Sequence, residues 1–461
     1  MRNKTNLHTL TNSKFRSCMN TPINKQIVDN LIKEFDIADF GRATIREIKA
    51  IAAQAEKASG VEFIKMEMGV PGLPASQVGV EAEIAALQAG VASIYADMEG
   101  LPELKREASR FVKAFVDVDI APQGCVSVVG SMQGTYAAFL TASQCDKTKD
   151  TILFIDPGFP VQKLQLTVMG QKFETFDVYE YRGEKLRDKL ESYLAKGNIS
   201  ALVYSNPNNP SWVNLKDEEL RIIGELCRQY DVIAIEDLAY FAMDFRKELG
   251  EPFQPPFQPT VAKYCDNYIL LISASKVFSY AGQRIGVACI SDALFNRKYA
   301  GINERYGMGT FGSTFIYRVL YALSAGVSHS AQYALAAMFK AASDGKYKFL
   351  NEVLEYGRRA KRLKDIFLRH GFHLVYDNDM DEPVADGFYF TIGWDEMTGS
   401  ELSLELMYYG VSAISLSTTG STQQGLRICT SFIDPHQYDL LDERMAMFAL
   451  AHGKTLMTNR Q

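Results

Sequence analysis

Short apolar runs recur between about residues 120 and 290, each too short for a full helix and each followed by a polar or glycine-bearing break. They are VSVV before residue 130, TILFID (151–156), FETFDV (173–178), SALVYSN (200–206), VIAIEDL (232–238), NYILLISAS (267–275) and RIGVACI (284–290). Between them lie stretches such as LKDEELRIIGELCRQY, whose apolar residues are spaced by three and four, as on one face of a helix. Strands that are apolar on both faces and separated by helices predict an α/β domain with a mainly parallel sheet sandwiched by helices.

After about residue 330 the texture becomes long and helical (QYALAAMFKAASDG, KFLNEVLEYGRRAKRLKDIFLRHG), and then gives short strand candidates, DGFYFTIGW and GLRICTSF. That pattern predicts a second, smaller α+β domain. The expected division is an N-terminal leader or arm over 1–35, a large domain over 66–325, and a small domain joining 36–65 to 326–461. The Pro-rich segment EPFQPPFQPT (251–260) can be neither helix nor central strand and reads as an exposed loop, a candidate for specificity. The basic run GRRAKRLK (357–364) reads as a solvated helix face.

Composition changes this picture little. Of 461 residues, 47% are hydrophobic and 23% charged, the balance of an ordinary globular chain with large cores. The net charge is −6 with both signs dispersed, so nothing argues for nucleic acid or an anionic membrane as partner. No apolar run reaches the ~18 residues of a membrane helix, and the polar start reads as a leader without the core of a signal peptide. The seven cysteines, Cys18 among them, are scattered and never form CxxC, so neither disulfides nor zinc are expected and a reducing cytoplasm fits. His370 and His373 lack a third ligand in range, so no metal site is expected.

In α/β sheets ligands sit at the carboxyl ends of strands, and four predicted ends carry reactive groups. After VSVV, Gly130-Ser131-Met132-Gln133-Gly134 leads into a helix: a flexible turn, or a cradle of N–H groups for phosphate. SALVYSN ends in Asn206-Pro207-Asn208-Asn209-Pro210-Ser211, either a turn before a helix near Lys216 or a rigid mount for an Asn side chain. VIAIEDLAY places Asp237 at the end of an apolar strand with Tyr240 beyond it, a structural ion pair or a partner for a cationic ring nitrogen. The fourth is ILLISASKVFSYAGQRIGVACI, in which Lys276 ends a buried strand, flanked by Ser273 and Ser275 and followed by Arg284; desolvation there suits a nucleophilic amine.

SASKVFSYAGQRIG resembles the cofactor-lysine signature of class I/II aminotransferases, pyridoxal-phosphate enzymes of the aspartate aminotransferase-like fold type I. Companions follow in the family's order over roughly residues 60 to 450: Tyr95 in YADMEGLPELK, GSMQG, Phe159 in DPGFP, Asn209 in NPS, Asp237 and Tyr240 in EDLAY, Lys276, Arg284, and Arg427 in GLRICTSF. The resemblance implies that Lys276 forms the internal aldimine and then moves the α-proton, while Asp237 pairs with the pyridine nitrogen. It also implies that Asn209 and Tyr240 bond the cofactor's phenolic oxygen and that Phe159 stacks on its ring. Ser131, the Met132 amide, Gln133, Ser273 and Arg284 would hold the phosphate, and Tyr95 would reach the phosphate of a neighbouring subunit, giving a homodimer with shared sites. Arg427 would clamp the substrate α-carboxylate.

The implied activity is transfer of an amino group from an α-amino acid to a 2-oxo acid by a ping-pong route. Alternatives are another reaction on the same cofactor, such as β-elimination (C–S lyase) or decarboxylation, or a non-catalytic homologue. Two departures stand out: Trp212 occupies the place of the family's usual Gly after N-P-[ST], and MGVPGLPAS only loosely matches the family's G-x-P-[DN] segment.

Overall fold

The structure, a computed structural model, describes residues 21–454. Its centre is a seven-stranded sheet: β1 (Cys125–Val128), β2 (Thr151–Asp156), β3 (Lys172–Asp177), β4 (Ile199–Ser205), β5 (Ile233–Leu238), β6 (Tyr268–Ser273) and β7 (Gly286–Ile290), in the order β1-β7-β6-β5-β4-β2-β3. All pairs are parallel except those of β7, which runs antiparallel to both β1 and β6. Each strand lies on a run expected from the sequence.

Side chains alternate across this sheet as pleating requires. On β2, Leu153 and Ile155 face one core while Ile152 and Phe154 face the other. The first core is closed by helices Pro102–Val116, Asp217–Gln229 and His329–Ser343, and the second by Gly130–Ala142. The same alternation sends the neighbouring acids of β5 apart: Glu236 shares the face of Ala234 and Leu238, whereas Asp237 shares that of Ile233 and Ile235.

The small domain is built on a four-stranded antiparallel sheet of β8 (His373–Leu374), β9 (Tyr389–Gly393), β10 (Ile414–Ser415) and β11 (Leu426–Cys429), ordered β10-β11-β9-β8. Its core draws on both ends of the chain. Val28 and Leu31 of helix Lys25–Glu34, and Ile48 and Ile51 of helix Ile45–Ser59, pack with Leu406, Met445 and Phe448.

Several boundaries differ from expectation. The first 20 residues of the expected leader, with Cys18, lie outside the described residues, but Lys25–Glu34 is a helix built into the small domain. Helix His329–Ser343, expected in the small domain, instead joins the large core, because Phe339 packs on Phe111 and Phe278 while Leu335 and Met338 are buried in the same cluster. The helix after it, Leu354–Arg369, spans the two cores, with Tyr356 in one and Leu363 and Ile366 in the other. Its basic run is only partly solvated. Arg359 Nη1 donates to the Ser431 carbonyl at 2.6 Å, and Lys364 Nζ meets Asp386 at 3.0 Å.

The 251–260 loop is exposed from Phe253 to Pro256, but Gln258 and Thr260 are buried. The Gln258 side-chain oxygen accepts from the Ala242 N–H at 2.9 Å, and Thr260 Oγ1 donates to Glu236 at 2.6 Å. Among the described residues no helix is long and apolar enough to cross a membrane, no acid, Cys and His cluster suits a metal, and six cysteines are buried free thiols.

Candidate active site

The carboxyl ends of β4, β5 and β6 and the turn after β1 open onto a cavity of about 330 Å³ between the two domains. Its lining includes Ser131, Met132, Phe159, Asn209, Asp237, Tyr240, Ser273, Lys276, Arg284 and Arg427, so ten of the residues singled out from sequence meet in one space. Two do not. The Gln133 amide donates to Ser324 Oγ at 2.8 Å and its oxygen accepts from the Val129 N–H at 2.9 Å, which turns the side chain away from the expected phosphate position. Tyr95 is 91% exposed and lies off this chain's own cavity.

Lys276 sits in the short helix Ala274–Val277 directly after β6. Its Nζ donates to the Gly69 carbonyl and lies 5.1 Å from the centre of the Phe388 ring. Burial, joined by the positive charges of Arg427 and Arg284 and opposed by the Cys429 thiol, lowers its ammonium to about 8. A substantial neutral fraction near physiological pH follows, which is what a nucleophile and base needs.

Asp237, 7% exposed, is fixed from one side only: Gln162 Nε2 donates to Oδ2 at 2.9 Å. Oδ1 is buried without a partner, as is the Ser131 hydroxyl. Burial raises the carboxyl to about 6, opposed by the Gln162 amide and, from positions that do not reach hydrogen-bond geometry, by the Ser131 hydroxyl and the Ala239 N–H. Two unpartnered polar atoms facing a cavity are costly in a folded protein unless a ligand completes them.

The phosphate end forms at the N-terminus of helix Gly130–Ala142. Gly130 takes φ +66°, and a Cβ there would approach Arg284 Nη2 to 2.8 Å, so only glycine lets the guanidinium lie across the turn. Arg284 Nη1 donates to the Ala281 carbonyl at 2.9 Å and to Ser275 Oγ at 3.3 Å, while Ser273 Oγ donates to Ser275 Oγ at 2.9 Å. A cation, two hydroxyl groups and free helix N–H groups form an anion site.

The opposite wall belongs to Arg427 on β11. It is 1% exposed, donates through Nη1 to Asn209 Oδ1 at 3.3 Å and through Nη2 to the Glu67 carbonyl, and leaves Nε unpartnered. Asn209 is held in a turn wired by its neighbours: Asn208 Oδ1 accepts from Ser211 N and Oγ at 3.1 and 2.7 Å, and Asn206 Oδ1 accepts from the Leu215 N–H at 3.1 Å. Trp212 adopts φ +63°, the backbone region that glycine would enter freely, so the turn keeps its course despite the substitution. The indole is fully buried behind Tyr240 and fills the Cβ position of Gly387.

Sequence reasoning missed Gln162 and Tyr389, while Met68–Pro71, noted from sequence only as a loose match to the family's G-x-P-[DN] segment, form part of the cavity wall. Gln162 was legible only as the residue three beyond Phe159 on the helix that starts at Pro160, which places it one turn from the ring-stacking position. Pyridoxal phosphate fits what is present: an unpartnered acid for its ring nitrogen, an unpartnered hydroxyl and an arginine for its phosphate, and a lysine of lowered basicity for its aldehyde.

The family described as "Aminotransferase class I and II" matches residues 61–444. The chain is 25% identical over 263 residues to a probable aspartate aminotransferase of Methanocaldococcus jannaschii, covering 57% of this chain and 64% of that protein. It is also 25% identical over 267 residues to the glutamate–pyruvate aminotransferase of Escherichia coli, covering 57% and 62%. The match thus spans less than two thirds of the length of these curated relatives. In fold, it resembles an aminotransferase from Mycobacterium tuberculosis, with a TM-score of 0.70 at 18% identity over 88% of this chain and 96% of that one. The aspartate aminotransferase of Thermus thermophilus with maleate gives 0.69 at 18% identity over 89% and 96%. With lysine, aspartate and two arginines around one cavity and the family match covering most of its length, this chain belongs to the class I and II aminotransferases, which use pyridoxal phosphate.

Proposed function

We propose that this protein transfers the amino group of an α-amino acid to a 2-oxo acid, in two half-reactions at one site. The observation that carries the reading is the convergence of Lys276, the unpartnered Asp237 Oδ1 and Arg427 on a single cavity. When bound, pyridoxal phosphate supplies an aldehyde that accepts the amino group and a ring that spreads the charge of the α-carbanion. Ser131, the Met132 N–H, Ser273 and Arg284 would hold its phosphate, Phe159 its ring face, and Asn209 and Tyr240 its phenolic oxygen. Arg427 binds the α-carboxylate of either substrate through its planar fork and so fixes which α-substituent faces Lys276. Lys276 Nζ carries the proton to and from the α-carbon. Asp237, ionised above a pH of about 6, keeps a proton on the ring nitrogen.

The exposed Tyr95 and the exposed apolar side chains of Ile84, Leu87 and Ile94 support a homodimer in which Tyr95 completes the partner's phosphate site. The buried thiols suit a reducing cytoplasm.

The test is spectroscopic. Purified protein loaded with pyridoxal phosphate is expected to lose its visible band when a suitable amino acid is added and to regain it on addition of a 2-oxo acid; Lys276→Ala abolishes both changes. Failure of every amino acid in a full panel to bleach the band would overturn the proposal. Release of ammonia without any oxo-acid acceptor would assign the site to elimination instead.

A further inference from the structure

Tyr389 is the least expected group in the cavity. It lies on β9, paired in register with Cys429, two residues beyond Arg427 on β11. It is 1% exposed, and each part of it meets a different piece of the machinery. The face of its ring lies under the Arg427 guanidinium, with Cζ 4.7 Å from the ring centre. Its hydroxyl accepts a hydrogen bond from Tyr240 Oη at 2.8 Å. The surroundings are shaped to hold it there. Gly69 has no side chain where a Cβ would overlap the Tyr389 hydroxyl, and the Trp212 indole meets Tyr240 and Tyr389 edge-on, with centroids 5.3 and 6.2 Å away. Trp212 is itself the departure from the family's usual glycine.

We propose that Tyr389 is a positioning residue with two separable duties, the ring orienting Arg427 and the hydroxyl strengthening the hydrogen bond that Tyr240 offers the cofactor. The inference rests on the pyridoxal-phosphate reading above. The physical reason is the proton count. Each phenol has one proton, and the Tyr240 proton is directed at Tyr389 in the chain alone. When Tyr240 turns its proton to an acceptor in the cavity, its oxygen is left to receive one, and the Tyr389 hydroxyl is the group beside it able to give it. A hydroxyl that accepts a hydrogen bond becomes a stronger donor, so the chain Tyr389 to Tyr240 to phenolic oxygen polarises in one direction. The ring's duty is independent of that proton. The electron-rich face attracts the guanidinium and keeps its plane fixed for a carboxylate.

The two duties separate by substitution. Tyr389→Phe keeps the ring and removes the hydroxyl. A weaker donor at the cofactor's phenolic oxygen lets the neighbouring proton be held more tightly, so the pH midpoint of the bound cofactor's visible band should rise by about half to one unit. KM for the amino donor should stay within about twofold. Tyr389→Leu removes the ring as well and should raise KM for donor and acceptor alike by roughly tenfold. In a Tyr240→Phe background, Tyr389→Phe should no longer move the midpoint, because the effect passes through Tyr240.

A band that forms normally in Tyr389→Phe with an unmoved midpoint overturns the hydroxyl's role, and an equal KM rise in Phe and Leu variants overturns the ring's. An equal midpoint shift with and without the Tyr240 hydroxyl would show a general structural disturbance and reject the relay. Wild-type protein that gives no visible band with pyridoxal phosphate overturns the proposed function itself, a result distinct from any of these.

Discussion

A carboxylate with one oxygen bonded and the other bare is the residue-scale signature of this site. Burial holds Asp237 near 6 in the chain without cofactor, above the ordinary carboxylate value of about 4. A raised folded value means that the native state binds the proton more tightly than the unfolded chain does. The buried anion therefore costs stability above a pH of about 6, and the cost fades as pH falls towards 4. Asp237→Asn should accordingly make the apoprotein more stable by about 1–3 kcal/mol at pH 7.5, with the difference closing towards pH 4, as urea unfolding across pH will measure. The same variant should lose amino transfer by roughly 10²–10³-fold. A protein made more stable by losing its function is what a preorganised site implies.

At the scale of elements, the turn from Asn206 to Leu215 decides where Asn209 points. Its Asn206 and Asn208 side-chain oxygens bond locally, while Asn208 Nδ2 reaches the Pro157 carbonyl at 2.8 Å and Asp379 accepts from the Asn214 N–H at 2.9 Å. Its rear wall is Trp212, which adopts a backbone conformation costing a non-glycine residue roughly 1 kcal/mol, offset by full burial of its indole. Trp212→Gly relieves the backbone but leaves a large void behind Tyr240, so a net loss of about 2–4 kcal/mol is expected by chemical denaturation. A variant as stable as wild type would mean that the neighbours collapse into the space.

The central strands were readable from sequence because their runs are apolar on both faces, and the site was readable because it gathers at their ends. Gln162 and Tyr389 were not, since a lone amide or phenol carries no periodic signal and is chosen by partners 75 and 149 positions away. Gln133 shows the converse. The motif places it in the turn, yet Ser324 decides where its amide goes.

On the scale of the whole molecule, the domains are fastened beside the cavity. Asp177, at the end of β3, accepts from Tyr376 Oη at 2.8 Å, from Thr422 N and Oγ1 at 2.8 and 3.1 Å, and from Ser421 Oγ at 3.1 Å, all small-domain groups. Close by, the Gly158 N–H donates to the Thr419 carbonyl at 2.8 Å, joining the Phe159 turn to the loop that leads into β11 and Arg427. Asp177→Ala should cost about 2–4 kcal/mol and raise KM several-fold while leaving the cofactor's spectrum intact, as denaturation and steady-state kinetics will check. By its place in the chain helix His329–Ser343 reads as part of the small domain; the contacts of Phe339 with Phe111 and Phe278, over 200 and about 60 residues earlier, assign it to the large core.

The small domain's core, drawn from both ends of the chain, has a consequence for how the protein is made. Val28, Leu31, Ile48 and Ile51 leave the ribosome some 350 residues or more ahead of Leu406, Met445 and Phe448, against which they pack. At ordinary translation speeds that is a wait of roughly 20 to 70 seconds. During it the two N-terminal helices present oily faces with nothing to cover them, so the nascent chain is a natural client for a holding chaperone, and abrupt truncation during synthesis leaves a sticky fragment rather than a folded half.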